Sequence, residues 1–467
     1  MAHTFDGTVL REYDIRGIIG ETLGPDDARA IGRTFGSMLR EAGGRKVAVG
    51  YDGRVSSPLL EHALIEGLTA SGCDVVKIGL GPTPMLYFAA ASLQDVDGGI
   101  QITGSHNPAN YNGFKMVFQG RPFFGPDIAE LGRRSAGGDW QDGTGRVEAL
   151  DIMPAYIDRL VGGLDGIDPA TLNNLKVGWD AGNGAAGPAL ELLTARLPGT
   201  HHLLYTEVDG NFPNHHPDPT VEENLADLTT LVTDKDLDFG IAFDGDGDRI
   251  GAIDGEGRVI WGDQLLMIYA QDLLQRQPGV TIIADVKASR ALFDSVRENG
   301  GKPLMWKTGH SLIKSKMKET GSPLAGEMSG HVFFADTYYG YDDALYAGVR
   351  LIAAAARLGR SVTELRGAMP AMLNTPELRF QVDEARKFAA IGEVADRLGR
   401  TDADVDSTDG VRVTTPDGWW LLRASNTQDV LVARAESDTK EGLDRLLAQI
   451  DEQLRLSGLE RGEQAGH

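Results

Sequence analysis

The sequence predicts an α/β protein: three related mixed-sheet α/β domains, then a C-terminal α+β domain with an antiparallel sheet and helices. Three observations predict it. An order of strand, helix, strand, strand recurs three times, as repeated α/β units would produce. Polar, glycine-bearing loops follow the strands of each repeat at matching places, and open α/β sheets place ligands at the carboxyl ends of strands. The last fifth drops this order for short apolar runs with Pro416-Asp417-Gly418 turn chemistry, followed by one amphipathic helix. At 467 residues the chain exceeds a single hydrophobic core. The expected boundaries are 1–150, 151–258, 259–370 and 371–467.

In the first repeat, Arg11 to Gly17 precedes a helix opened by Pro25-Asp26-Asp27, with Ile31, Phe35, Met38 and Leu39 at helical spacing. Lys46 to Tyr51 reads as a buried strand running into a loop with Gly53 and Arg54. Ser57-Pro58 opens a helix to about Ser71. Strands follow at Val75–Ile78 and Gly99–Thr103, and the second ends in Thr103-Gly104-Ser105-His106-Asn107-Pro108. The second repeat has strands at Lys176–Asp180, His202–Glu207 and Asp238–Phe243, with a helix from about Gly187. It ends in Asp244-Gly245-Asp246-Gly247-Asp248-Arg249. The third has strands at Thr281–Val286 and Leu304–Trp306. The loops Lys287 to Arg290 and Lys307 to His310 follow them, and Gly326 to His331 comes ahead of the apolar Val332 to Phe334. In the last fifth, Val411–Val413, Trp419–Leu422 and Val430–Ala433 read as antiparallel strands, with Arg423 to Thr427 in a loop between two of them. Leu443, Leu446, Leu447, Ile450 and Leu454 mark one face of the final helix.

The formal net charge of −23 argues against nucleic acid or an anionic membrane as the main partner. A small anionic substrate remains compatible if local basic loops outweigh the global field. The single cysteine, Cys73, builds no disulfide framework and fits a reducing compartment. It reads as a half-buried core thiol. The N-terminus lacks a signal-peptide pattern, and no run of about 18 apolar residues suggests a membrane span. The expectation is a soluble, cytoplasmic protein.

Three carboxylates on alternate residues, Asp244, Asp246 and Asp248, repel one another unless neutralised. A hard divalent cation does this with oxygen ligands, and the glycines let the backbone curl around it. An EF-hand is excluded, because Arg249 stands where Gly is needed and Gly255 where Glu is needed. Mg²⁺ shared with a phosphate suits the open coordination places; a solvated acidic turn is the plainer alternative. Arg423 to Thr427 offers a guanidinium, hydroxyls, an amide and turn N–H groups, which can cradle a phosphate or simply close a hairpin. Glu327, Ser329 and His331 suit sugar hydroxyls. Lys287, Lys307 and His310, together with Arg16, Arg54 and Lys115, suggest a cationic cleft, although any one of them alone reads as a surface charge. Trp419 and Trp420 read as core or domain interface. No Gly-x-Ser-x-Gly elbow surrounds Ser105. A serine beside a metal loop and cationic loops reads better as a phosphoryl carrier, worth about −1.5 to −2 charges when phosphorylated. The neighbouring His106 is expected to point elsewhere and not to serve as its base.

With the four loops Thr103–Pro108, Asp244–Arg249, Gly326–His331 and Arg423–Thr427 in this order, the chain resembles the α-D-phosphohexomutases. Within them it is most similar to the bacterial phosphomannomutase/phosphoglucomutase group, over essentially its full length. The resemblance implies a heart-shaped molecule with a central cleft, whose four domains bear the phosphoserine, the metal, the sugar loop and the phosphate loop in turn. It implies that Ser105 is the phosphoserine and that Asp244, Asp246 and Asp248 hold Mg²⁺ together with a phosphoserine oxygen. Arg16 and Lys115 become phosphoryl-stabilising and acid–base neighbours. His106 and His310 join them, His106 with no role beyond lining the cleft. Tyr13, Arg249, Lys287, Gly309, His310, Glu327, Ser329, His331, Arg423, Ser425, Asn426 and Thr427 become substrate contacts. The implied reaction is reversible interconversion of hexose 1-phosphate and hexose 6-phosphate, glucose or mannose or both, through a phosphoserine enzyme. Hexose 1,6-bisphosphate is the implied intermediate and activator, and the chain is expected as a monomer or weak homo-oligomer. Met328 favours the mannose/glucose group over phosphoglucosamine mutases, which remain the nearer rival; a non-catalytic sugar-phosphate-binding regulator is the farther one. Asp429 departs from the group's usual Pro, which puts an added anion near the phosphate loop.

Overall fold

Each of the first three sheets is built around one central strand with the same neighbours. The computed structural model describes residues 2–426 and 428–462 of the chain. In the first sheet the central strand Lys46–Tyr51 pairs in parallel with Asp74–Leu80 on one side and Gly98–Ile102 on the other. In the second, Lys176–Asp180 lies between Thr200–Leu204 and Phe239–Phe243, again parallel. In the third, Thr281–Asp285 lies between Lys302–Trp306 and Leu324–Gly326. Each third strand then turns into an antiparallel fourth: Tyr111–Phe118, Ile250–Asp254 and Val332–Phe334 respectively. The threefold repeat expected from the sequence is therefore real, and a fourth strand belongs to every copy.

This topology places the three polar loops at equivalent positions. The Ser105, Asp244 and Glu327 loops each connect a third strand to its fourth strand. The pairs Ile102↔Phe114, Phe243↔Ile250 and Gly326↔Val332 close them. Ile15–Ile18 adds an antiparallel edge to the first sheet, and Val147–Ala149 a parallel one. Val259–Ile260 completes the second sheet.

The fourth sheet is antiparallel throughout, in the order Leu373–Asn374, Val430–Ser437, Gly418–Ala424, Val411–Thr415, Asp404–Asp406, with Leu378–Gln381 also on Val430–Ser437. The final helix is Lys440–Leu456, and it buries Leu446, Ile450 and Leu454 as its spacing predicts. Two expectations are corrected here. The second strand of the second repeat is Thr200–Leu204, earlier than His202–Glu207, because Tyr205 turns into the left-handed region (φ 53°) and ends it. Arg423 and Ala424 lie on a strand, so the loop itself begins at Ser425.

One continuous apolar core runs beneath the first three sheets, from Ala48 and Leu86 through Trp179 and Phe243 to Tyr346 and Val349. A large side chain such as Leu86, Phe243 or Val349 stabilises the fold by about 1.5–3 kcal/mol on burial, so the three loops are held on a shared rigid base. The fourth domain has its own core around Trp420, Leu431 and Ile450. It meets the third through Arg412, whose Nη1 donates to the carbonyls of Val286 (2.5 Å) and Ala288 (2.9 Å) while the guanidinium lies 3.6 Å over the Trp419 ring. Trp419 is thus an interface residue and Trp420 a core residue, as expected. Cys73 is fully buried. No helix among the described residues is long and apolar enough to cross a membrane.

Candidate active site

Ser105 is held by its backbone. The residue adopts φ +49°, a left-handed conformation that a non-glycine residue keeps only when its surroundings enforce it. Arg54 enforces it. Its guanidinium donates to the carbonyls of Ser105 (2.8 Å), Asn107 (2.6 Å), Pro108 (2.6 Å) and Tyr111 (2.9 Å), and pairs with Asp52 at 3.2 Å. Asp52 in turn accepts from the Gly104 N–H at 3.1 Å. A Cβ on Gly104 would come within 2.4 Å of the Arg54 guanidinium, so glycine is required there. Arg54 is therefore a buried scaffold for the serine loop and not part of a cationic cleft, which corrects the sequence-based expectation. From the second domain, the His216 ring donates to the carbonyl of His106.

The Asp loop lies directly beneath. Ser105 Oγ donates to Asp244 Oδ2 at 2.9 Å. The other Asp244 oxygen accepts from the N–H groups of Asp248 and Arg249, both at 3.1 Å. Gly245 lets the two loops touch, because a Cβ there would lie 2.4 Å from the Ser105 carbonyl oxygen. The backbone of the loop is fixed on both sides: Thr83 N–H donates to Asp246 O (2.8 Å) and Ala344 N–H to Gly247 O (3.2 Å). Asp244, Asp246 and Asp248 are all fully buried, with one oxygen from each within 4.8 Å of the others. Burial, reinforced by Asp246 and Asp248, pushes the Asp244 carboxyl well above the ordinary range.

Lys115, on the fourth strand of the first sheet, projects its ammonium into this cluster. It donates to Asp246 Oδ2 at 2.8 Å and to Asp248 Oδ2. Burial opposes its charge, but the Asp246 and Asp248 carboxylates outweigh burial and hold its proton above the ordinary lysine range. Asp246 Oδ1 is buried and has no hydrogen-bond donor, and buried Asp248 Oδ1 has only the His331 Nε2 at 3.4 Å. Three converging carboxylates, one of them with an orphaned buried oxygen, fit a hard, oxygen-seeking divalent cation.

A cavity of about 290 Å³ opens above Ser105, lined by all four domains. Among the residues expected from the sequence, Tyr13, Arg16, Ser105, His106, Lys115 and Arg249 line it, and so do Lys287, Gly309, His310, Glu327, Ser329, His331 and Ser425. Arg16 donates to Asn107 and Asp14. His106 Nδ1 lies 3.2 Å from Ser105 Oγ, within hydrogen-bond reach, so the expectation that it points away is corrected. Burial and the nearby Arg249, Arg16 and Lys115 charges lower its pKa well below the ordinary value, which keeps the ring neutral.

The Glu327 loop is held from two sides. Glu327 Oε1 accepts from the Gly309 N–H at 2.6 Å, and Glu327 Oε2 pairs with His331 Nδ1 at 3.0 Å. Burial opposes a charged His331, but Asp248 and Glu327 outweigh it and push its pKa up to about 9. His310 stacks on His331, with ring centroids 5.5 Å apart. Burial and Lys314 lower the His310 pKa. Tyr13 spans three domains: its hydroxyl donates to the Thr308 carbonyl at 2.9 Å and receives Asn426 Nδ2 at 2.6 Å. Burial pushes its pKa to about 12.

Other expected residues fall elsewhere. Arg423 lies behind the cavity wall with Nε on Asp409 at 3.0 Å, and Asn426 acts on Tyr13. Thr427 lies outside the described residues. Lys307 is exposed and off the cavity. Asp429, which departs from the usual Pro beside the Arg423–Thr427 segment, faces outward near Lys387 (3.6 Å), with its side chain 59% exposed. Sequence reasoning missed Glu377 and Arg379, which line the cavity; Glu377 precedes the strand Leu378–Gln381 and Arg379 lies on it, and charges there carry no signal of their own. It also missed Asp285, which accepts from Thr308 Oγ1 and the Met328 N–H, both at 3.1 Å, and so positions two loops at once.

Comparison with known proteins agrees along the whole chain. Family models match at 7–141, 154–257 and 261–372, described as phosphoglucomutase/phosphomannomutase alpha/beta/alpha domains I, II and III. The C-terminal domain model of that family matches 377–453. A phosphomannomutase/phosphoglucomutase of Pseudomonas aeruginosa is 45% identical over 454 residues, 97% of each chain. A phosphoglucomutase of Neisseria gonorrhoeae is 43% identical, covering 94% of this chain and 95% of that one. A crystal structure of a phosphoglucomutase/phosphomannomutase family protein from Burkholderia thailandensis superimposes with a TM-score of 0.91 at 45% identity. That alignment covers 97% of this chain and 98% of the other.

Proposed function

The chain belongs to the phosphoglucomutase/phosphomannomutase family and is a phosphohexomutase; we propose that Ser105 is its phosphoryl carrier, moving phosphate between C1 and C6 of glucose or mannose. The observation that carries this reading is the Ser105 hydroxyl, 2.9 Å from Asp244, at the floor of a cavity walled by cations and by the Glu327 loop. Phosphorylated Ser105 gives its phosphoryl group to the free hydroxyl of a hexose monophosphate. The Ser Oγ–P bond breaks as the sugar O–P bond forms, and the hydroxyl proton leaves to a neighbouring base. The hexose 1,6-bisphosphate turns over in the cavity and returns its other phosphate to Ser105.

Asp244, Asp246 and Asp248 would hold Mg²⁺, which supplies charge neutralisation at the transferring oxygens. Lys115, Arg16 and Arg249 line the cavity around Ser105 and would offer their charge to the same oxygens as it develops. Glu327 and Ser329 accept and donate to hydroxyls near the middle of the sugar, where either orientation presents them. The neutral His106 ring, 3.2 Å from Oγ, can take the hydroxyl proton of a dephosphorylated serine. The phosphate not being transferred falls to the Ser425 loop and Lys287.

Intact mass should show one phosphate on the native chain, and Ser105→Ala should lose both this mass and mutase turnover. Turnover retained by Ser105→Ala refutes the role. Chelation should stop turnover and Mg²⁺ restore it; indifference to chelation removes the three aspartates from that role.

A further inference from the structure

The cavity contains a group that phosphate binding alone does not call for. Glu377, just ahead of the strand Leu378–Gln381, places a carboxylate on its wall. Glu377 Oε2 accepts from Lys287 Nζ at 3.0 Å across the junction between the third and fourth domains. Glu377 Oε1 accepts from Arg379 Nε at 2.9 Å and Nη2 at 2.6 Å. The remaining side of that guanidinium reaches Gln428 Oε1 at 3.1 Å, next to the Ser425 loop. The Lys287 side chain is 8% exposed, and those of Glu377 and Arg379 are 22% and 28% exposed. Two cations on the cavity wall thus grip one carboxylate, in a cavity whose substrate carries a dianion.

An arginine fork on one oxygen and an ammonium on the other is the geometry with which these side chains hold a phosphate edge. We propose that Arg379 and Lys287 form a phosphate-recognition pair, and that Glu377 is the internal anion holding this pair in register until the phosphate of a hexose phosphate takes its place. The inference rests on the phosphosugar reading of the cavity. It extends that reading to two residues, Glu377 and Arg379, and to a mode of binding by anion exchange. Two consequences follow. Displacing Glu377 offsets part of the affinity, which lets a bisphosphate, with a dianion at each end, let go of this wall and turn. An uncharged sugar brings no anion to exchange, so the pair stays closed and selects for phosphorylated ligands.

The test is calorimetric binding of inorganic phosphate to the full-length protein, with KM for the hexose monophosphate measured alongside. Glu377→Gln keeps the shape and frees the cations, so phosphate should bind about three- to tenfold more tightly, on the scale of one ion pair. Arg379→Gln should weaken phosphate binding about tenfold or more, and Arg379→Lys should recover part of the loss. A purely structural carboxylate would make Glu377→Gln and Arg379→Gln weaken binding together, and that outcome overturns the proposal. So does unchanged binding in either variant. If Glu377→Gln does not fold, the two Arg379 variants still decide: phosphate affinity unchanged by Arg379→Gln overturns the proposal, while a loss partly restored by lysine supports it. Failure of the mutase reading itself would appear separately, as absent turnover in the unaltered protein.

Discussion

Replacing Lys115 by methionine should turn the protein into one whose stability depends on a divalent cation. The Lys115 side chain is 4% exposed, and its ammonium is 2.8 Å from Asp246 and bonded to Asp248 as well. Methionine keeps most of the length of the stem and removes the charge. Three buried carboxylates are then left without this cation, and breaking a buried ion pair from one side costs about 3–5 kcal/mol. A divalent cation at about one hundred times its Kd gives back about 2.7 kcal/mol by mass action, more than half of the loss. Urea denaturation followed by tryptophan fluorescence, in chelator and in Mg²⁺, measures both quantities. The midpoint of Lys115→Met should fall well below that of the native chain in chelator and recover most of the gap in Mg²⁺. Equal stability of the two proteins in chelator, or a Mg²⁺ effect of the same size in both, would mean that Lys115 does not neutralise the aspartate cluster.

Two further outcomes are expected. Asp343 caps the helix Ala344–Leu358 and accepts from the hydroxyls of Tyr156 (3.1 and 3.0 Å) and Tyr338 (2.7 Å). Burial pushes its pKa up to about 6, so the folded state holds its proton more tightly than the unfolded one. The resulting stabilisation is complete below the ordinary carboxylate pKa near 4 and is lost as pH rises through 6; about two pH units at about 1.36 kcal/mol each give about 3 kcal/mol. Asp343→Asn should therefore be less sensitive to pH between 4 and 7, and a pH-independent difference in urea midpoint between the two proteins would contradict this. Arg54→Ala removes the donors of four loop carbonyls and the partner of Asp52; it should cost about 3–5 kcal/mol, speed amide exchange over 103–111 and abolish most turnover. Unchanged exchange in that segment would show that Arg54 does not hold the serine loop.

The parts legible from the sequence were those where composition alone dictates chemistry. Asp244, Asp246 and Asp248 on alternate residues of a glycine loop demand neutralisation wherever they fold, and Ser105 between Gly104 and an Asn-Pro step demands a turn. The strand–helix–strand–strand order was legible because the parallel strands are buried on both faces and read as apolar runs. The fourth strand of the first copy was not, because Asn112-Gly113 imitates a turn. In the structure Asn112 is a buried strand residue whose Nδ2 donates to Ser56 and Ser57 Oγ at 2.8 and 2.9 Å. The edge strand Thr200–Leu204 was misplaced because its register comes from pairing with Lys176–Asp180 and not from its own hydropathy. Arg54 and Lys307 read as cleft cations because sequence shows a charge but not its direction. Glu377 and Arg379 were invisible for the opposite reason: their meaning comes from Lys287, 90 residues away in the chain.

The most direct measurement follows the phosphate itself. Protein carrying labelled phosphate on Ser105 is mixed with unlabelled hexose monophosphate, and the label is located after one turnover. The label is expected to leave Ser105 and appear on the sugar, first as bisphosphate and then as monophosphate, while the serine regains unlabelled phosphate. Label that stays on Ser105 during multiple turnovers, or appears as free phosphate without entering the sugar, would mean that Ser105 does not carry the transferred group.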